Sequence, residues 1–514
     1  MSEPDTYNDI RAYEAFKRVR NRLRLHYPHE ILYRCITDLN RPDANSMERM
    51  RHYRPWELLL LIKWTVIYGE YTSPDRHHLT EPDYTKLVNL LFQFGADIRM
   101  PDQYDNVLLF LRNMAFQEFW LQENARNANL ARQSILFRVL EPNHSLHVAF
   151  KAKTGVTIDE FILLANMLLT GFLTSRKEQF VTENWFSPVL KEMTADSIRA
   201  FLHSLSKDIQ SLRQFLAQPA MSRLSKAYEF YEQTPLKRYP LFLDADRYFT
   251  YSPIVLFHAL HSYVFDLLRE VDPSAFMDRF GPIFERYIEK GLQYAQLNFV
   301  PESELRTIMP ELNKVIDFFV VDQGTNILLE AKGIEMPPIG MLTHLPDVVR
   351  DRTKTSIIKA IYQAHETWSI LRKKSSVGRL TLGEGLPVLL VTTFKDLYIG
   401  NGSDFMRSVA SDLPNDLAAR FGQDEIIPPE RIYFLSVEDF DLLIEAAHKG
   451  LSVSSILLEA MKADSQSQTK RFVFRQHLRA LRPELGIPQY LEREFETVMN
   501  RIKQMLDEPP VVSG

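Results

Sequence analysis

Val315-Ile316-Asp317-Phe318-Phe319-Val320-Val321-Asp322-Gln323-Gly324-Thr325-Asn326-Ile327-Leu328-Leu329-Glu330-Ala331-Lys332-Gly333 consists of two apolar, β-favouring runs flanking Asp-Gln-Gly-Thr-Asn, a cluster of turn formers. The pattern predicts a hairpin. With Gln323-Gly324 as a two-residue loop, Asp322 opposes Thr325, and counting outward along both strands sets Asp317 opposite Glu330. Side chains alternate along a strand, so Glu330 and Lys332 share one face while Ala331 takes the other. Two carboxylates and one ammonium thus meet on a small patch between apolar strands.

Such charges are costly to bury unless they pair or bind a metal. A metal-assisted hydrolase has a use for them: two carboxylates hold a hard cation such as Mg2+, and the lysine orients or helps deprotonate an attacking water. These residues resemble the PD-(D/E)XK nuclease superfamily, whose core motif is an Asp followed by Glu-X-Lys on the next strand. Asp317, Glu330 and Lys332 match its three positions. Phe280-Gly281-Pro282-Ile283-Phe284-Glu285-Arg286-Tyr287-Ile288 resembles the helix that precedes the motif, with Glu285 in its acidic place. Ile316 stands where many members have Pro. The resemblance covers roughly residues 236 to 450. It implies an α/β fold with a mixed, restriction-endonuclease-like sheet flanked by helices, and one or two Mg2+ (or Mn2+) ions held by Asp317, Glu330 and Glu285.

At 514 residues the chain has room for about three domains. A hydrophobic fraction of 45% beside 25% charged residues is ordinary for a soluble globular protein. The longest apolar cluster, Leu58 to Ile62, is broken by Lys63, and the opening Met1-Ser2-Glu3-Pro4-Asp5 is unlike a signal peptide. Cys35 is the only cysteine, which excludes an internal disulfide and a cysteine-based zinc site and suits the cytoplasm. A net charge of -5 gives no global attraction to nucleic acid, so any such contact needs a local basic surface.

From the N-terminus to about residue 235 the chain reads as a large all-α domain. Asp9 to His26 is basic, with Arg18, Arg20, Arg22 and Arg24 clustered, and a solvated helix face is favoured there over phosphate contact. Helical spacing recurs in 56–68, 84–94, 107–120 and 130–139; Ile158 to Leu173 is apolar nearly all round. A further helix is expected from Ala195 to Leu216, capped by Thr194.

Near Pro235 the texture changes to a small hairpin, 239–251, with an acidic turn, and His258 and His261 on the next helix read as ordinary packing histidines. Phe276 to Asn298 is the helix presenting Glu285. Asp322 and Glu335 are set aside, the first as a turn residue and the second as lying beyond the strand. After a Pro- and Gly-rich loop, a helix is expected from Asp347 to Lys374. Its cations suit a polyanionic substrate, with Lys354, Lys359 and Gln363 as substrate-binding candidates, although a basic solvated helix has the same appearance. Exonuclease-like members of the superfamily carry Gln and then Tyr one turn later; here Gln363 is followed by Thr367. Leu386 to Thr393 and Ile432 to Leu435 read as further strands, and Ser436 as the cap of a helix 437–447. Residues 451–514 form a short helical C-terminal extension with a frayed end at Pro509-Pro510.

The expectation is therefore a helical domain over 1–235, a nuclease-like domain over 236–450 and an extension over 451–514. The resemblance implies a cytoplasmic, Mg2+-dependent deoxyribonuclease acting on DNA, with RNA as the other polyanion, in defence against foreign DNA such as phage. It brings with it a homodimer and a phage-derived trigger as further partners. The rival reading is a catalytically inactive nuclease-like scaffold for DNA or protein binding.

Overall fold

The computed structural model describes residues 6–507 apart from 45, 73, 99–105, 123–129, 139, 175–178, 219–224 and 313. Pro509-Pro510 lies outside them. The chain is mixed α/β and divides into two compact units. One comprises Met1–Asp105, Met114–Val271 and Arg493–Gly514; the other comprises Asn106–Asn113 and Asp272–Glu492. No single described helix is long and apolar enough to cross a membrane.

These divisions differ from the expected boundaries for identifiable reasons. The hairpin Leu241–Asp244 and Arg247–Thr250 forms with its turn at Ala245-Asp246, but it completes a four-stranded sheet with Phe180–Val181 and Ser206–Lys207. The first unit is consequently not all-α, and it extends to Val271. The helix expected over 195–216 is two helices, Ala195–Leu205 and Ile209–Leu216. Ser206–Lys207 leaves the helical path to pair with Leu241–Phe242, and the Asp208 carboxylate then accepts from the amides of Gln210 and Ser211 at 2.9 and 3.0 Å, starting the second helix. Residues 493–507 join this unit through Glu494, which pairs with Arg138 at 2.7 Å, and Arg501, which pairs with Glu192 at 2.7 Å. The arginines of the first helix, Thr6–Leu23, are largely engaged: Arg11 and Arg18 with Asp97, Arg22 with Asp83.

In the second unit the central sheet runs in the order β5-β4-β3-β2-β1. Its strands are β1 (Phe299–Pro301), β2 (Phe318–Asp322), β3 (Thr325–Lys332), β4 (Val388–Thr393) and β5 (Ile432–Ser436). β2 is antiparallel to both β1 and β3, while β3, β4 and β5 run parallel. Asp322 opposes Thr325, as the turn chemistry predicts, and Gln323 and Gly324 both hold positive φ, 45° and 78°, the backbone of a tight two-residue hairpin. Helix α1 (Pro273–Tyr294) precedes β1, and α2 (Glu302–Ile308) follows it directly. Between β3 and β4 the single helix expected over 347–374 is α3 (Pro346–Thr353), a π-helical turn (Lys354–Ile358) and α4 (Lys359–Leu371). After β5, Ser436 and Asp439 form a reciprocal capping box that starts α5 (Val437–His448).

Residues 451–492 belong to this unit rather than to a separate extension. Asp322 accepts from Ser452 Oγ and the Ser454 amide, each at 2.8 Å, and Arg475 reaches Asp396 and Asp439. Asn106–Asn113 joins it too: Arg112 Nε donates to the Leu397 carbonyl at 3.2 Å, and Asn106 Nδ2 to that of Ser408 at 2.9 Å. Both strands of the hairpin are buried over most of their length, so the charged residues at its open end stand out chemically.

Candidate active site

The site forms where β3 ends and β2 begins. Asp317 is the residue before β2, and backbone bonds fix it from two sides: its carbonyl accepts from the Glu302 amide at 2.7 Å and its own amide donates to Glu330 Oε2 at 3.3 Å. Its Oδ2 accepts from the Ala331 amide at 2.6 Å. Glu330 is fully buried, and its Oε1 accepts from Lys332 Nζ. The structure thus brings together Asp317, Glu330 and Lys332, the three residues singled out in the sequence.

Glu285 approaches from the middle of α1. One carboxylate oxygen from each of Glu285, Glu302 and Asp317 lies within 4.8 Å of the other two. The oxygens that gather are therefore not quite the expected set: Glu302 joins them, while both Glu330 oxygens are occupied by Lys332 and the Asp317 amide. Glu302 was not visible as a candidate in the sequence because nothing local marks it. It is placed by β1, whose pairing with β2 sets Pro301 opposite Phe318, so that the next residue on one strand meets the preceding residue on the other. Arg306, one turn along α2, donates to Glu302 Oε1 at 2.7 Å.

The electrostatics follow from burial and crowding. Burial, and then the charge of Glu330, raises the Asp317 carboxyl well above the usual range; burial also raises Glu330. Burial and the neighbouring Glu302 raise Glu285. Burial alone would lower the Lys332 ammonium, but the carboxylates of Glu330 and Asp317 outweigh it and hold the lysine charged. A site of this kind favours an added positive charge.

The donor set fits a divalent cation. Three carboxylate oxygens are hard ligands, and their mutual spacing is one that a cation with ligand distances of about 2.0–2.6 Å spans. The raised proton affinities of Glu285 and Asp317 mean that both would gain from a nearby positive charge.

The expected substrate-binding residues separate. Gln363 is buried and its Nε2 donates to the Val315 carbonyl, while one turn on Thr367 Oγ1 accepts from the Ile316 amide at 3.2 Å. These two side chains of α4 grip the segment that delivers Asp317, so Gln363 serves position rather than substrate contact. Lys359 is exposed on the same helix, within electrostatic reach of Glu330 and Lys332. Lys354 is exposed in the π-helical turn, and among the described residues no contact joins it to the carboxylates. Lys314, exposed just before the segment that Gln363 and Thr367 hold, lowers the Lys359 ammonium.

The two residues set aside are structural: Asp322 caps the segment at Ser452, and Glu335 pairs with Lys395 at 2.5 Å. Comparison with protein-family models, with curated proteins and with solved structures finds no match to this chain.

Proposed function

We propose that the chain is a Mg2+-dependent or Mn2+-dependent nuclease of the PD-(D/E)XK kind that hydrolyses phosphodiester bonds of DNA. The observation that carries this reading is the meeting of Asp317, Glu330 and Lys332 at the end of a buried hairpin, beside the carboxylates of Glu285 and Glu302. A charged group buried without a structural need is expensive, and here two buried carboxylates, Asp317 and Glu330, meet three half-buried charges, Glu285, Glu302 and Lys332. The mixed five-stranded sheet, with a hairpin bearing the motif and helices around it, supports a restriction-endonuclease-like fold.

In this reading Glu285, Glu302 and Asp317 hold the cation, with Glu330 behind them. When bound, the cation supplies charge that stabilises the phosphoryl oxygens and acidifies water. Glu330 holds the Lys332 ammonium in place through the Oε1 bond, so that its remaining N–H groups are free to orient a water for in-line attack. Gln363 and Thr367 keep the Asp317 segment rigid, which matters because misplacement by about 1 Å costs roughly 100-fold in rate.

The test is direct. Linear, circular and single-stranded DNA and RNA are incubated with the protein and Mg2+, beside Lys332→Ala and Glu330→Ala controls. Mg2+-dependent cleavage of DNA that both controls lack is the expected result. Cleavage that persists in Lys332→Ala removes the catalytic assignment, and absence of cleavage of every substrate with Mg2+ or Mn2+ removes the function.

A further inference from the structure

Arg306 limits how Glu302 can serve as a ligand. It stands one turn after Glu302 on α2, and both its Nε and its Nη2 donate to the same carboxylate oxygen, Oε1, at 3.0 and 2.7 Å. An ionised carboxylate offers about two lone-pair sites on each oxygen, so these two bonds fill Oε1. Glu302 Oε2 accepts no bond among the described residues. The backbone of Glu302 is anchored as well, since its amide donates to the Asp317 carbonyl at 2.7 Å.

Asp317 is restricted in a similar way. Its Oδ2 accepts from the Ala331 amide at 2.6 Å, whereas its Oδ1 accepts no bond among the described residues, although Asp317 is only 6% exposed. Both oxygens of Glu330 are engaged, by Lys332 and by the Asp317 amide. Glu285 accepts no bond through either oxygen among the described residues. The cluster therefore presents one open oxygen from Glu302, one from Asp317, and a single carboxylate, Glu285, with both oxygens open.

Such a donor set discriminates between hard cations. Ca2+ takes about six to eight oxygens and readily uses carboxylates that chelate through both of theirs, whereas Mg2+ keeps a near-ideal octahedron and retains several waters. Carboxylates confined to one oxygen suit the octahedron and fall short of the crowded shell. A guanidinium is suited to imposing that limit, because its rigid fork directs two N–H groups to one side, while a lysine ammonium is a single point charge on a flexible stem.

We propose that Arg306 is a positioning residue that makes Glu302 a one-oxygen ligand and thereby selects Mg2+ over Ca2+ at the carboxylate cluster. This rests on the metal-dependent reading of that cluster. Arg306 is about half exposed, and an exposed ion pair between residues one turn apart contributes little to stability, so its replacement leaves the fold intact.

The experiment measures cation binding apart from cleavage. Metal-stripped full-length wild type, Arg306→Ala and Arg306→Lys are titrated with Mg2+ and, separately, with Ca2+ by isothermal calorimetry at fixed ionic strength. The cation-induced rise in Tm gives an independent readout, and melts in EDTA verify folding. Loss of the Arg306 charge favours both cations alike, so the quantity read is the ratio of the two affinities. Arg306→Ala should shift that ratio toward Ca2+ by about tenfold, the scale on which groups that hold metal ligands tune affinity. Arg306→Lys keeps the charge without the fork and should shift it in the same direction.

An unchanged ratio in Arg306→Ala overturns the proposal, and so does a wild-type ratio in Arg306→Lys, which would assign the selectivity to charge. Wild type that binds neither cation overturns it as well. A shifted ratio in a protein that cleaves no polynucleotide supports the role of Arg306 and overturns the nuclease reading. An unchanged ratio in a protein with Mg2+-dependent cleavage removes the role and leaves the nuclease standing.

Discussion

The Asp317 amide donates to Glu330 Oε2 at 3.3 Å, so two carboxylate-bearing residues are locked side by side, the Glu330 charge raising the Asp317 carboxyl while the Asp317 amide opposes the rise that burial gives Glu330. The consequence for stability has a definite sign. Both carboxyls are raised above their ordinary values of 3.8 and 4.5, for Asp317 by burial and then by Glu330, for Glu330 by burial. Folding therefore binds protons between the unfolded and folded values, and the stability these groups allow is full below the unfolded values and falls as pH rises through the folded ones.

Asp317→Asn removes one of the two charges at fixed shape. The variant should melt higher than wild type near pH 8, show a smaller loss of Tm between about pH 5 and about pH 8, and lack Mg2+-dependent cleavage. Thermal melts in EDTA over that range check it. A variant with the pH dependence of wild type would show that the carboxylate crowding is not felt energetically.

Glu302 separates the observed carboxylate cluster from the set the motif alone suggests. Glu302→Gln and Glu285→Gln should each raise the Mg2+ concentration for half-maximal cleavage roughly tenfold or more. Mg2+ stabilises whatever state binds it, so both variants should also show a smaller Mg2+-induced rise in Tm than wild type. If Glu302→Gln keeps the wild-type Mg2+ response while Glu285→Gln loses it, the cation is held without Glu302.

The contrast between Glu330 and Glu302 shows what a sequence makes legible. Glu330 is fixed by local rules: a two-residue turn sets the register, and the register sets the facing residue. Ser436 was legible for the same reason, its cap partner being three residues away. Glu302 and Lys314 depend on pairings between distant segments, β1 with β2 and the 314–316 stretch with α4, and no local pattern encodes those. The break at Ser206 is similar: 195–216 has helical spacing throughout, but the tertiary gain of pairing with Leu241–Phe242 outweighs helix propensity.

Gln363 and Thr367 act on Asp317 through the backbone. Val315 and Ile316 are fully buried, so removing either partner leaves a peptide group unsatisfied, at a cost of about 1–3 kcal/mol. Gln363→Ala and Thr367→Val should lower Tm and reduce kcat more than they raise KM, because the looser segment misplaces a carboxylate rather than losing a substrate contact. Thr367→Ser keeps the acceptor oxygen and should restore both. Equal loss in Thr367→Ser and Thr367→Val would place the effect in packing of the methyl group instead.

Lys63, which breaks the apolar run Leu58 to Ile62, is 2% exposed inside the first unit. Burial would lower its ammonium, but Glu232 Oε2 at 2.5 Å and Glu229 Oε2 at 3.2 Å outweigh that and raise it. Glu229 has other partners, accepting from Trp64 Nε1 at 2.9 Å and from Lys226, whereas burial raises Glu232 and Lys63, with a smaller contribution from Lys226, opposes the rise. Lys63→Met should therefore destabilise the first unit by about 3–5 kcal/mol, since it strands the Glu232 charge. Adding Glu232→Gln removes the stranded charge and should recover much of the loss, a coupling that a double-mutant cycle reads directly. Four of the five tryptophans, Trp56, Trp64, Trp120 and Trp185, belong to this unit, so the urea midpoint by tryptophan fluorescence reports on it. Additive losses in the double variant would mean that Glu232 is stabilised by something other than Lys63.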